Sequence, residues 1–474
     1  MSAGPYSTGA LILRNHPLAY VVENNRRAEV CEYCFRSDLK VLRCSKCKLS
    51  SYCSPDCQKK SWKESHKHEC DGLKRTEGKL SSFMQLLAQT VLKLKLGIDG
   101  EDPKRNITPF QRRFHDLASH WTEAKCDKEI ADYITQAGKT LADYFADPAF
   151  EEFLRFDSLG EIYSRIKSNA YAIQGPMNEP VGHGVFLSAA KFDHSCKPNS
   201  SQSYDGPDMI VRAITEIPAV EDVRVTYTAL HQPARLRRKF LKEHYFFDCE
   251  CERCNDVLHD AMLQSIMCQK KTCGEAVPYR SQPSGAVKCP HCKSKVAAKP
   301  LADADQLMTD GELVISRMEA QMSRGEFASV VQLADPILRR AAGLLHPKHF
   351  VICTMSLLCS SAYTSLGDFN MAFTFSQNAL EGTTFAYPEK HIAVGSHLLQ
   401  LIRVGLQTNI RAKSLYDDLE LLGRNALSIT RIAAGGDSAV HKKAIELYEA
   451  VMAEGRAMQH LGGGCDGCGN HHHH

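Results

Sequence analysis

The sequence predicts a multidomain α+β protein. A β-rich core is split by a cysteine-rich metal module and a helical insertion, and a helical C-terminal array follows. Three observations carry that expectation. Two short apolar runs within residues 9–22 read as strands around a proline bend, yet no hairpin partner is nearby. Strand-like patterning returns only across residues 181–227. From Ala302 to Gln459 the apolar spacing is helical throughout.

At 474 residues the chain has room for roughly two to four domains, and 43% hydrophobic content is enough for real cores. A net charge of +3 gives no global attraction to nucleic acid or to a membrane surface. No apolar run approaches the roughly 18 residues of a membrane span, and the opening Met-Ser-Ala-Gly-Pro-Tyr lacks the pattern of a signal peptide. Twenty cysteines are the largest anomaly. Clustered as short pairs with no secretory signal, they favour zinc over disulfides.

The first cysteine block follows the second strand directly. Cys31-x2-Cys34, Cys44-x2-Cys47, Cys53-x3-Cys57 and His66-x3-Cys70 supply seven thiolates and one imidazole, the complement of two tetrahedral zinc sites. Their order fits interleaved pairing, with Cys31, Cys34, Cys53 and Cys57 on one ion and Cys44, Cys47, His66 and Cys70 on the other. A helical pattern through Trp62 places the last ligands on helices.

Residues 78–172 show helical spacing in Phe83–Leu92, Phe114–Trp121, Ile130–Tyr144 and Phe150–Ile173. His115 and His120 within them read as solvated or core histidines. Short strands are expected at Val185-Phe186, Met209–Val211 and Val223–Tyr227, with a turn at Tyr204-Asp205-Gly206. A basic helix spans about Pro233 to Glu243. Its Arg235-Leu236-Arg237-Arg238-Lys239 run, like the basic residues of Lys59–Lys74, reads as a solvated face.

Between these strands, Phe192-Asp193-His194-Ser195-Cys196-Lys197-Pro198-Asn199 crowds hydrogen-bonding and metal-binding groups into a stretch that Pro198 keeps from being helical. Further on, Cys249-x-Cys251-x2-Cys254 offers three thiolates, one short of a closed zinc site. Cys196 is the nearest motif-embedded fourth. The two segments are therefore expected to meet at a metal ion. Cys268-x4-Cys273 and Cys289-x2-Cys292 read as a four-thiolate zinc ribbon, which brings the expected total to about four zinc ions. Cys126, Cys353 and Cys359 sit in apolar helical patterns and are expected to be buried thiols. The Gly-rich tail with Cys465 and Cys468 is flexible by composition, and His471–His474 are either native or a tag remnant.

The block from Cys31 to Cys70 resembles the MYND finger, in its family a protein-interaction module for short proline-containing peptides. The stretch Asp193–Asn199, the strand ending in Tyr227, and Cys249, Cys251 and Cys254 resemble the SET domain of protein lysine methyltransferases with its post-SET zinc site. Ala362-Tyr363-Thr364-Ser365-Leu366-Gly367-Asp368-Phe369, with Ala372 and Ala379-Leu380, is similar to a tetratricopeptide repeat, and Arg324-Gly325-Glu326-Phe327 is a weaker echo. The combination is similar to the SMYD family over about residues 9–460. The implied organisation is a SET domain in two pieces (1–28 and 181–247), a MYND finger (29–71), a helical insertion (72–180), a post-SET segment (248–256), a zinc ribbon (257–300), a TPR-like helical domain (301–460) and a tail (461–474).

The resemblance implies an S-adenosylmethionine-dependent protein lysine N-methyltransferase, a monomer of cytoplasm and nucleus acting on a histone or non-histone lysine. Asp193 and His194 match the family's cofactor-contacting Asn-His pair, and Asn169 matches another polar contact. Tyr227 matches the catalytic tyrosine and also faces the cofactor. Tyr245 and Phe247 match aromatics that wall the lysine channel and the adenine side. Cys196, Cys249, Cys251 and Cys254 match the zinc ligands. Three positions depart from the pattern: Asp193 stands for an asparagine, Val220 for a turn glycine, and no Gly-basic-Gly turn precedes the first strand. An alternative reading follows, a SET scaffold without chemistry that serves as a zinc-dependent protein-interaction or transcriptional co-regulator module.

Methyl transfer from a sulfonium to an amine is a direct displacement, so the lysine must be neutral although its free pKa is near roughly 10.4. A narrow aromatic channel disfavours the ammonium by desolvation. Tyr227 is expected to orient the amine and not to act as a base.

Overall fold

The computed structural model describes residues 4–282 and 286–462. Cys465, Cys468 and His471–His474 lie outside them. The chain forms two compact units. The first comprises the chain up to His194, Asn199–Val225 and Ile432–Val440; the second comprises Ser195–Pro198, Thr226–Arg431 and the chain from His441.

In chain order the first unit holds strands β1 (Leu11–Asn15) and β2 (Ala19–Val22), then helices α1 (Pro55–Ser61), α2 (Lys67–Arg75), α3 (Ser82–Lys95), α4 (Lys128–Phe145) and α5 (Phe156–Asn169). Strands β3 (Ala170–Gln174), β4 (Pro180–Val185), β5 (Asp193–His194), β6 (Ser200–Asp205), β7 (Asp208–Ala213) and β8 (Arg224–Val225) follow. β1 pairs antiparallel with β7, with Leu13 opposite Val211, and β6 flanks β7 on its other edge. β2 pairs with β4, Ala19 opposite Val185, and β3 covers the far edge of β4. The first two strands thus lack a nearby hairpin because each finds its partner after the finger and the helices. Short β5 and β8 run parallel, Asp193 opposite Arg224.

α3 and α4 start on side-chain caps, Ser81 accepting from Met84 N–H and Asp127 from Glu129 and Ile130 N–H. Their apolar faces form a core in which Leu87, Leu141 and Leu159 expose no surface, and Val21, Val185 and Leu187 of the strand layer join it. The finger is fixed by charge as well. Between α1 and α2 a π-turn (Trp62–His66) carries Glu64, which meets Arg105 at 3.1 Å, Lys93 at 3.6 Å and His16 at 3.7 Å. Burial alone would raise the Glu64 carboxyl; the hydrogen bond from His16 and the charges of Lys93 and Arg105 outweigh it and hold the carboxyl at about 2.

Several expectations are corrected here. Phe114–Trp121 is not a helix: a 3-10 turn (Phe114–Asp116) gives way to extended backbone at Leu117, and a one-turn helix begins at Trp121. Phe114, Leu117 and Trp121 are nonetheless buried, so three loop anchors mimic helical spacing. Helix α5 ends at Asn169, and Ala170–Ile173 is strand because its backbone pairs with β4. The strand expected over Val223–Tyr227 shrinks to β8, although Val223 and Val225 are buried. Cys126 is exposed, lying past a four-residue helix (Trp121–Ala124), whereas Cys353 and Cys359 are buried as expected.

The second unit contains α6 (Ala234–Tyr245), the last two cysteine clusters, and then α7 (Ala298–Ser323), α8 (Phe327–Ala341), α9 (Phe350–Leu366), α10 (Phe369–Ala386), α11 (Ile392–Leu406) and most of α12 (Lys413–Ala433) and α13 (Ala439–Gly462). α7 packs on α8 and α9 on α10. Gly325 (φ +75°) and Gly367 (φ +79°) take left-handed backbone at the two turns, which a side chain would strain. Among the described residues no helix is long and apolar enough to cross a membrane.

Three histidines hold this array together in neutral form. His349 caps α9 and His391 caps α11, each accepting at Nδ1 from a backbone N–H (Val351 and Ala393) at 3.2 Å. His397 lies between Ser376 O (2.9 Å) and Thr383 Oγ1 (3.0 Å). Burial pushes His349 down to about 3 and His391 and His397 to about 4. A folded pKa below the unfolded value means full stability above about pH 6.5, lost as pH falls from there towards 4. Urea titrations from pH 7 to pH 5 should show a loss on the order of 2 kcal/mol per histidine, and His391→Asn, which keeps a cap without titrating, should flatten the slope.

Candidate metal centres and catalytic site

Ligand atoms converge at four places among the described residues: Cys31, Cys34, Cys53 and Cys57; Cys44, Cys47, His66 and Cys70; Cys196, Cys249, Cys251 and Cys254; and Cys268, Cys273, Cys289 and Cys292. Within each group every ligand atom lies within 4.8 Å of the others. Zinc–sulfur bonds of about 2.3 Å in a tetrahedron place sulfurs about 3.8 Å apart. The sulfurs of Cys34 and Cys53 are 3.6 Å apart, those of Cys53 and Cys57 3.6 Å, those of Cys196 and Cys254 3.5 Å, and those of Cys273 and Cys289 3.9 Å. The donor sets fit zinc.

Local structure explains the finger's interleaving. A short hairpin (Leu42–Arg43 with Ser51–Tyr52) presents Cys44 and Cys47, while α1, capped by Ser54, carries Cys57. The π-turn delivers His66 with Nε2 at 3.4 Å from Cys44 Sγ and 3.7 Å from Cys47 Sγ, and α2 delivers Cys70. Burial pushes His66 down to about 4, which keeps the imidazole in its ligating form.

The third cluster joins the central stretch to the aromatic-cysteine segment across 58 residues. Thiol-to-thiol hydrogen bonding pushes Cys196 up and holds Cys251 well down, as expected of sulfurs that share a charge. Tyr227, Tyr245 and Phe247 pack against this cluster together with Leu230 and Leu241. The Tyr227 and Tyr245 rings stand 4.8 Å apart at 36°, and burial raises the Tyr245 hydroxyl. Phe246, in left-handed backbone and 55% exposed, ends α6 between its two inward neighbours.

Asn169, Asp193 and His194 belong to the first unit, and Tyr227, Tyr245 and Phe247 to the second. Asn169 closes α5, its amide donating to Ala118 O at 3.0 Å and Arg165 O at 2.8 Å, so its spare polar atom is the amide oxygen. Asp193 is exposed and His194 half-buried on β5. Asn199, an anchor that sequence reasoning missed, fastens the stretch's far end: it donates to Asp222 O and accepts from Arg224 N–H, both at 2.8 Å.

Residues 31–70 match the family model described as the MYND finger. The human histone-lysine N-methyltransferase SMYD3 is 32% identical over 267 residues, covering 54% of this chain and 59% of the relative. The human N-lysine methyltransferase SMYD2 is 30% identical over 252 residues, 53% of this chain and 56% of the relative. The histone-lysine N-methyltransferase ASHR1 of Arabidopsis thaliana is 27% identical over 357 residues, 73% of this chain and 71% of the relative. The chain is thus similar to SMYD-family lysine methyltransferases and carries their MYND finger. Its matches span a little over half the length of the SMYD2 and SMYD3 relatives.

Arg237 and Arg253 were not legible as part of a centre. Both are buried, at 1% and 7% exposure; Arg237 corrects the reading of Arg235–Lys239 as a solvated face at that one position, while Arg235 and Lys239 are exposed as expected. The available signal was spacing, since Arg237 lies three residues after Ala234 and four before Leu241, on the buried side of α6.

Zinc analysis tests the interleaving. Cys31→Ser and Cys57→Ser combined should lose one zinc equivalent, and Cys31→Ser with Cys44→Ser two; equal losses from both pairs would refute the pairing.

Proposed function

We propose that this protein is an SMYD-family, S-adenosylmethionine-dependent protein lysine N-methyltransferase. The observation that carries the reading is the packing of the Tyr227–Tyr245 pair on the thiolate cluster that contains Cys196 of the central stretch. Similarity to chains named as lysine methyltransferases supports it, and the non-catalytic scaffold is correspondingly not favoured. Residues 1–28 and 181–247 would be the SET core and 248–256 its post-SET segment. The finger (29–71), helical insertion (72–180), zinc ribbon (257–300) and TPR-like array (301–460) complete the assignment, with four zinc ions on the four ligand groups.

Each unit offers groups of the kind the resemblance calls for: in the first, a carboxylate for a cation at Asp193, the amide oxygen of Asn169 and the His194 ring; in the second, aromatic surface at Tyr227 and Phe247. When bound, S-adenosylmethionine supplies an electrophilic methyl group. Asp193, acceptor-only where the family has an amide, would bind the cofactor's ammonium. The Tyr227 and Tyr245 rings would strip water from the substrate ammonium and so favour its neutral form. The Tyr227 hydroxyl would accept from the amine and aim its lone pair, positioning worth on the order of 7 kcal/mol in favourable cases. Tyr245 would wall the same channel. The finger would recruit proline-containing peptides, and the protein would act as a monomer in cytoplasm and nucleus on a histone tail or another lysine-bearing protein.

Calorimetry on the zinc-replete protein should show S-adenosylmethionine binding that weakens in Asn169→Asp. Tyr227→Phe should keep that binding and lose about 100-fold or more in methyl transfer. A folded protein with its zinc complement and no detectable cofactor binding refutes the enzyme reading.

A further inference from the structure

The third cluster differs from the other three in what its sulfurs touch. Arg237, among the largest fully buried side chains described, donates from Nε to Cys196 Sγ at 3.2 Å and from Nη2 to Cys254 Sγ at 3.5 Å. Its remaining nitrogen, Nη1, donates to Gln232 O. Two more guanidinium groups fix the backbone around the same sulfurs. Arg238 donates to Cys249 O at 2.9 Å and Cys254 O at 3.1 Å. Arg253 donates to Cys196 O at 3.0 Å and Leu230 O at 2.7 Å. Among the described residues no arginine N–H is directed at a sulfur of the other clusters; the fourth has a hydroxyl, Ser294, at 3.3 Å from Cys292, and an imidazole, His291, at 3.6 Å from Cys273.

The chemistry of that difference is direct. Four thiolates on a divalent zinc leave two negative charges, and burying them without a counter-charge is costly. A guanidinium neutralises part of that charge where it sits. Its N–H···S bonds also draw electron density from the sulfur lone pairs that a proton or a competing reagent must reach before the metal can leave. Because the fork is planar and spans two different sulfurs, it also fixes the distance between a ligand of the central stretch and one on the far side of the loop. An ammonium could supply the charge but not that geometry.

We propose that Arg237 is a positioning residue of the third zinc site, tying Cys196 to Cys254 and making that zinc the slowest of the four to leave. The inference rests on the reading of this cluster as a zinc site. Helix α6 thereby gains a second role, since the face that carries Arg237 governs the permanence of the metal.

Zinc release from the full chain into excess chromogenic chelator tests it. Cys251→Ser should lose one zinc equivalent, the slowest to leave in the wild type; if it loses none, the zinc-site reading fails and this inference with it. Arg237→Met should retain its zinc count but release that equivalent about 10–100-fold faster, with the other three unchanged. Arg237→Lys should recover only part of the loss. In cadmium-substituted Arg237→Lys, cadmium NMR should show one resonance displaced, the one missing in Cys251→Ser. This measurement decides the matter if Arg237→Met does not fold. Wild-type release rates in a folded Arg237→Met, or an unmoved cadmium resonance in Arg237→Lys, would overturn the proposal.

Discussion

The contact between Cys196 and Cys254, 3.5 Å between sulfurs that are 58 residues apart, governs how the second unit is built. Closing a loop of that length costs about 4 kcal/mol of chain entropy. A structural zinc site contributes on the order of 10 kcal/mol, so an ion held by this cluster would meet that cost with a margin left for ordering the aromatic segment. Leu230, Leu241 and the three aromatic side chains around the cluster could not replace it by area alone, because Tyr227, Tyr245 and Phe247 are each only partly buried. The same closure explains why Ser195–Pro198 belong to the second unit while the residues on either side belong to the first.

The four groups of converging cysteine and histidine side chains were the most legible feature of the sequence, and for a physical reason. A tetrahedral ion demands particular atoms at short spacings, so the chemistry is written locally in Cys-x2-Cys and Cys-x3-Cys pairs. The fourth ligand of the third cluster was legible only by counting, since nothing around Cys196 states where its partners lie. Helical spacing was less faithful. Phe114, Leu117 and Trp121 keep the period of a helix while their backbone does not, because burial of three side chains can be met by a loop lying against α5 as well as by a helix. Ala170–Ile173 failed in the opposite sense: the helix continues until a strand partner claims the backbone, and that partner lies beyond the local window.

Charge was the least legible element. Glu64 reads as one acid in a basic finger, yet it receives His16, Lys93 and Arg105 from three other parts of the first unit. Arg237 reads as part of a solvated run, yet it is 1% exposed. In both cases a charged side chain is buried because its partner is brought from far along the chain, and composition carries no trace of that partner. The neutral histidines at two helix starts follow a local rule instead: His349 and His391 each accept from a backbone N–H two residues on.

Interleaving has a consequence for the order in which a nascent chain can fold. The finger's two ligand groups are completed in quick succession, the first when Cys57 is made and the second when Cys70 is made. Cys196 has to wait for the synthesis of Cys249, Cys251 and Cys254, and during that interval it is an uncoordinated thiol in an unfinished core. Of the first unit's strands that follow it, Asp208–Ala213 can pair meanwhile with Ser200–Asp205 on one edge and with Leu11–Asn15, made long before, on the other. Vectorial synthesis thus sets a sequence of events in which the finger matures first, the sheets close second, and the central stretch is captured last.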